Sequence, residues 1–277
     1  SIKPIHALVS GVMEGVAEPH LLVKGAGSPH GYVLRPSEAR ALARADLIVW
    51  VGPQLETFLE KPLTTVAVNA RQLQLIDAMA SDLLLFREGG SWDSHAHETD
   101  HDQHGVLQYN PHFWLSPELA KLSVQQIVAA LIGIDPQHQT IYQQNSERLA
   151  QRLDDLHVRL SAKLAPVKDT PYLVFHDAYQ YFEAAYELSA VGSITVDPER
   201  RPGARRVMEM RRKIETLKAR CVFSEPQFEP RLVATIIEGT GARTGELDPI
   251  GVELTAGAES YFQLMNALAD DLVEGLR

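Results

Sequence analysis

The feature that most constrains the fold is one long amphipathic run from about Pro136 to Leu164. Ile141, Leu149, Leu153, Leu156, Leu160 and Leu164 recur there at spacings of three, four or eight, with charges between them. That period predicts a single helix with a narrow apolar stripe and an otherwise solvated surface. Shorter apolar runs lie on both sides of it. Before it, Ile5 to Ser10, Leu21 to Lys24, Leu47 to Gly52 and Thr64 to Asn69 read as buried strands, and Pro36 to Ala45 as a helix opening on Arg35-Pro36-Ser37-Glu38. Proline and an acidic residue suit a helical first turn. After it, Tyr172 to His176, Ala190 to Thr195, Cys221 to Glu225 and Arg243 to Asp248 read as strands. Helical patterns fall at about Gly203 to Ala219, Pro230 to Glu238 and Ser260 to Leu276.

Alternating short apolar runs and helices predict α/β architecture with parallel sheets. The expected order is an α/β lobe over residues 1–135, a connecting long helix over 136–166 and a second α/β lobe over 167–277, with similar strand counts in the two lobes. A chain of 277 residues can bury two cores of ordinary size. The runs are too short to span a bilayer, which takes roughly 18 to 20 apolar residues.

Thirty-six acidic against 26 basic residues give a formal charge of −10, which repels phosphate backbones and excludes nucleic acid as a favoured partner. The one cysteine, Cys221, excludes an intrachain disulfide and a cysteine-based zinc site. A bound metal must therefore rest on histidine and carboxylate. No H-E-x-x-H, nucleophile elbow, Walker lysine or dinucleotide glycine fingerprint occurs.

Three of the 11 histidines share a setting beside proline, aspartate or aromatic residues. They are Ser28-Pro29-His30-Gly31-Tyr32, Asn110-Pro111-His112-Phe113-Trp114 and Val174-Phe175-His176-Asp177-Ala178. In α/β sheets, ligands bind beyond the carboxyl ends of strands, where such segments fall. Their separations of 82 and 64 residues leave convergence to the fold, and a capping or hydrogen-bonded histidine is the alternative for each. His6, His20, His138 and His157 are read as structural. A different kind of segment runs over residues 93–104, where His95, His97, His101 and His104 stand among acidic residues without hydrophobic period. It reads as a loop, and a solvated acidic segment whose histidines bind metal only incidentally is one reading of it.

The ordered set Ser28 to Ser37, Ala45 to Pro53, Pro111-His112-Phe113-Trp114-Leu115-Ser116-Pro117, Phe175 to Phe182, Val222-Phe223-Ser224-Glu225-Pro226-Gln227-Phe228 and Gly245 to Gly251 resembles the periplasmic zinc-binding components of zinc ABC transporters, within the metal-binding cluster of solute-binding proteins. The resemblance implies two lobes joined by the long helix, with a metal site in the cleft between them. It implies His30, His112 and His176 as ligands of Zn(II), a loop at His95, His97, His101 and His104 that gathers zinc weakly or passes it to the main site, and delivery of zinc to a membrane permease. A periplasmic location after removal of an N-terminal signal, a monomer and no enzymatic activity are also expected. Manganese-binding relatives place a carboxylate at the third position, where this chain has His176. Imidazole suits zinc and hard oxygen ligands suit manganese.

Two positions depart from the pattern. Some zinc receptors carry glutamate before the first histidine, and here that residue is Pro29. Asp248 matches a carboxylate ligand of other members and is the expected fourth ligand, with water as the rival and a turn role before Pro249 as the alternative. Some relatives pair the counterpart of Cys221 with a cysteine near the C-terminus, and the matching residue here is Gly275. The alternatives to a zinc receptor are a zinc-dependent hydrolase using Glu225 or Asp177 as base, and a receptor for manganese or another divalent metal.

Overall fold

Parallel strands, the central two of them buried, carry the second half of the chain, and their carboxyl ends meet the loops of the first half. The structure is a computed structural model that describes residues 1–25, 27–87, 108–195, 198–199, 202–228 and 231–277. In chain order the first half holds α1 (Lys3–Val12), α2 (Pro36–Leu42), β1 (Leu47–Trp50), α3 (Thr57–Thr65), β2 (Arg71–Gln74), the single turn α4 (Leu75–Ala78) and α5 (Pro117–Ile134). The long helix α6 (Gln139–Leu164) follows. The second half holds β3 (Tyr172–Val174), α7 (Gln180–Tyr186), β4 (Ala190–Ser193), α8 (Ala204–Leu217), β5 (Cys221–Ser224), α9 (Arg231–Ile237), β6 (Arg243–Glu246) and α10 (Ser260–Leu276).

Strands β1 and β2 pair in parallel, and the second sheet has the order β4-β3-β5-β6 with every neighbour parallel. The architecture is α/β, with helices flanking both sheets and α6 between them. Leu149, Leu153, Leu156, Leu160 and Leu164 are buried as the leucine period predicts, while Ile141 is exposed. The helix packs on α1, α5 and α10. One apolar cluster runs from Ile5 and Leu8 through Trp114, Leu153 and Leu156 to Tyr261 and Leu268, so the spine welds the two halves into a shared core. Asn145, a buried polar residue on α6, donates to the carbonyls of Val12 and Glu14 and so satisfies the open end of α1.

The first half departs from the strand reading in three places. Ile5 to Ser10 lies in α1: Pro4 sits in its first turn, and Ile5, Leu8, Val9 and Val12 are buried at the i, i+3, i+4, i+7 spacing of a helix face. Thr64 and Thr65 close α3, where both hydroxyls donate to the Lys61 carbonyl, and the following strand begins only at Arg71. Leu21 to Val23 is buried but forms no strand. Among the described residues the two sheets therefore have two and four strands rather than similar numbers. Sequence reading also missed α5, whose start is built by Pro117 in the first turn and by Ser116 Oγ accepting from the Leu119 amide. No helix among the described residues is long and apolar enough to cross a membrane.

Candidate metal centre

Three loops bring the histidines together. His30 lies in the turn ahead of α2, His112 opens the short turn Phe113–Leu115 before α5, and His176 follows β3 by two residues. One nitrogen from each lies within 4.8 Å of the others. His112 Nε2 is 3.4 Å from His30 Nε2 and 3.3 Å from His176 Nε2. His112 and His176 are buried and His30 is half-buried.

The hydrogen-bond network assigns the tautomers. Asn110 Nδ2 donates to the Asp177 carbonyl at 2.9 Å and to Gln180 Oε1 at 3.0 Å, which turns its Oδ1 toward His112. That oxygen can only accept, so His112 Nδ1 carries the proton of the 2.8 Å bond. His176 Nδ1 donates to Glu225 Oε1 at 2.6 Å. With each Nδ1 so engaged, the two Nε2 atoms are left facing each other, an arrangement in which both could serve as ligands to one cation.

Electrostatics favours the neutral form of His30 and His112. Burial, and then the neighbouring His176, pushes His30 down to about 3. Burial, followed by His176 and His30, holds His112 well below the usual imidazole range. Burial pushes the Glu225 carboxyl up, and the adjacent His176 opposes that shift. The walls are apolar: Trp114 packs on His112 with ring centroids 5.2 Å apart, and Phe228 stacks on Phe175 and meets the His176 ring edge-on. The space enclosed by His30, His112, Trp114, His176 and Phe228 is about 10 Å³, close to one water-sized sphere. A larger cavity of about 380 Å³, beside α1 and β1, is lined by none of the three histidines.

The other expected residues fall as follows. Asp248 follows β6 by two residues and is not in the histidine group. Its Oδ1 accepts from Gln227 Nε2 at 2.8 Å, the Ile250 amide at 3.1 Å and the Gly251 amide at 2.9 Å, and its Oδ2 accepts from the Val252 amide. It thus organises the turn at 248–252. His95, His97, His101 and His104 lie outside the described residues, but the chain on either side of them is tied together. Leu85 bridges Tyr109, the Phe86 amide donates to the Gln108 carbonyl, and the Asn110 amide donates to the Leu84 carbonyl. His6, His138 and His157 have local roles, against the Pro19 carbonyl, Asp135 and the Tyr186 ring respectively. Sequence reading gave Asn110 and Arg87 no part. Arg87 holds Asp177 through Nε at 3.1 and 3.0 Å and through Nη2, and Glu183 through Nη1 at 2.7 Å, directly beside His176. The Asn110-Pro111-His112 context was the one signal that pointed to the asparagine.

A family model described as zinc-uptake complex component A periplasmic, ZnuA, matches residues 1–275. The high-affinity zinc uptake system protein ZnuA of Brucella abortus (strain 2308) is 46% identical over 301 residues, covering 100% of this chain and 90% of that protein. Among solved structures, a crystal structure of ZnuA superposes with a TM-score of 0.83 at 24% identity, covering 100% of this chain and 97% of the other. The periplasmic zinc binding protein TroA from Treponema pallidum does so with a TM-score of 0.84 at 21% identity, covering 99% and 96%. These two likenesses speak for the fold, in which parallel sheets flank a long central helix. The match to the family model and to the Brucella relative goes further: the chain belongs to the family of periplasmic zinc-uptake complex component A.

Proposed function

We propose that the chain captures Zn(II) in the periplasm through His30, His112 and His176 and delivers it to the permease of an ABC transporter. The observation that carries this reading is the pair of Nε2 atoms on His112 and His176, 3.3 Å apart, each ring oriented through its Nδ1 by Asn110 or Glu225. Three imidazoles suit zinc, at Zn–N distances of about 2.0 to 2.1 Å. An enclosed volume near 10 Å³ suits an ion as cargo. Organic substrates occupy pockets of about 300 to 1,000 Å³, so this site does not favour a hydrolase.

Asp248 is the proposed fourth ligand. Supporting it is its place past the carboxyl end of β6, two strands from β3, where ligands of parallel sheets gather. Coordination would replace the Gln227 bond to its Oδ1, while the backbone amides at 250–252 keep the carboxylate oriented. His95, His97, His101 and His104 are proposed as a weaker gathering set. Supporting this, the paired chain at Leu84–Phe86 and Gln108–Asn110 leads straight to His112. The working unit is a monomer of two lobes, 1–135 and 167–277, divided by the helical segment 136–166, and no turnover is proposed for it.

Delivery is tested with vesicles bearing the cognate permease. Zinc-loaded protein is expected to drive ATP-dependent zinc uptake, whereas His112→Ala protein at the same zinc concentration is not. Equal uptake with both would refute capture at this site.

A further inference from the structure

Glu225 is 2% exposed, and the mechanism of capture so far uses it only as a neighbour. It follows β5 directly, and β5 pairs in parallel with β3, so sheet register sets Glu225 beside the residues that follow β3. Its Oε1 accepts from both the His176 ring Nδ1, at 2.6 Å, and the His176 backbone amide, at 3.4 Å. One oxygen thus fixes the ring and the main chain of the same residue. Its Oε2 is buried with no hydrogen-bond partner among the described residues. A buried carboxylate with an unspent oxygen is an expensive feature unless something nearby needs its charge.

We propose that Glu225 is the positioning residue that holds His176 in its Nδ1–H tautomer, aims Nε2 at the zinc position and supplies a buried negative charge that offsets the dication. The inference rests on the zinc reading of the histidine triad. Neutral imidazoles contribute no charge, so bound zinc brings two positive charges into an apolar enclosure walled by Trp114 and Phe228. A carboxylate on the far side of one ligand ring makes that imidazole more basic without occupying a coordination position. Asn110 serves His112 similarly with a neutral acceptor, which leaves Glu225 as the charged member of the two ring partners.

The test uses Glu225→Leu, Glu225→Gln and His176→Ala. Two readouts are taken: competitive zinc titration, and nitrogen NMR of the histidine rings in the metal-free protein. Glu225→Leu removes acceptor and charge. It is expected to weaken zinc binding by about ten- to a hundredfold and to let His176 populate the Nε2–H tautomer, with the far-ultraviolet circular dichroism unchanged. Glu225→Gln keeps an acceptor and loses the charge, so the tautomer is expected to hold while affinity falls by a smaller factor, at least about threefold. A packing role alone would not move the ring nitrogens. If Glu225→Leu fails to fold, Glu225→Gln decides, and affinity equal to wild type overturns the proposal. So does a folded Glu225→Leu protein that keeps both wild-type affinity and the Nδ1–H tautomer. If His176→Ala binds zinc like wild type, the triad reading itself fails. If His176→Ala weakens binding and neither Glu225 variant does, only the role of Glu225 fails.

Discussion

His112 and His176 face each other through Nε2 atoms 3.3 Å apart, while the Nδ1 of one is held by Asn110 and that of the other by Glu225. Residues 64 apart in sequence are brought into contact, and Asn110 and Glu225 orient the two rings. Under the proposed function the arrangement is preorganised for a cation, since little ordering would remain to be done when the ion arrives.

Preorganisation has a consequence for the metal-free protein at low pH. The folded state holds His30 at about 3 and His112 well below its ordinary range, whereas unfolded imidazoles titrate near 6.5. From about pH 6.5 downward toward 3 the unfolded chain binds more protons than the folded one, so stability falls as pH falls through that window. The limiting slope is about 1.4 kcal/mol per pH unit for each group. Denaturant unfolding at pH 7 and pH 5 should show this loss. A His30→Gln, His112→Gln double variant should show a shallower one, and an identical slope in both proteins would contradict the assignment.

Zinc removal should leave the fold standing. The shared core from Ile5 to Leu268 is apolar and contains none of the three histidines, meeting their site only at Trp114 and Ile250, so chelation is expected to leave the far-ultraviolet circular dichroism unchanged. Added zinc should stabilise by mass action, by about 2.7 kcal/mol at a free concentration 100 times its Kd. Collapse of secondary structure on chelation would indicate a structural zinc instead.

Arg87 is the cation that makes two buried carboxylates tolerable. Asp177 and Glu183 both lean on it, and burial, only partly offset by Arg87, still lifts Glu183 to about 7. Arg87→Met is expected to destabilise by about 3 kcal/mol at pH 8, because it leaves buried charge unpaired. The loss should be smaller at pH 5, where Glu183 is neutral in either protein. A loss that is constant across this range would show that the effect is packing rather than charge.

Cys221 is fully buried in β5, and burial pushes its thiol up to about 12. A thiol reagent should therefore leave the native protein unlabelled over hours and react once denaturant is added. The residue opposite is Gly275, as the sequence comparison had placed it. A methyl group there would stand 2.6 Å from the Phe223 ring and 3.2 Å from Cys221 Sγ. Gly275→Ala is expected to destabilise by about 1 to 3 kcal/mol through overpacking, read as a lower denaturation midpoint.

The centre of the second sheet was readable because β3 and β5 are buried, so Tyr172 to Val174 and Cys221 to Phe223 stand out as unbroken apolar runs. Ile5 to Ser10 looked the same and is a helix, since a short apolar run does not distinguish the two and the decisive cue, Pro4 in a first turn, is local and weak. The convergence of His30, His112 and His176 was legible only through the family resemblance, since their contexts alone left each a capping or hydrogen-bonded role. Their partners are another matter. Glu225 meets His176 across 49 residues and Arg87 meets Asp177 across 90, and only the strand order and the crossing of the two halves create those pairs. Asp248 carried two readings in sequence, ligand and turn residue, and the amides it receives from 250 to 252 explain why a turn needs aspartate there whether or not it also meets the ion.

The measurement closest to the central claim is a competitive zinc titration of metal-stripped protein beside His176→Ala, reading stoichiometry and affinity together. The account predicts one tight site in the wild type that His176→Ala weakens by orders of magnitude. Zinc held as tightly by His176→Ala as by the wild type would contradict it.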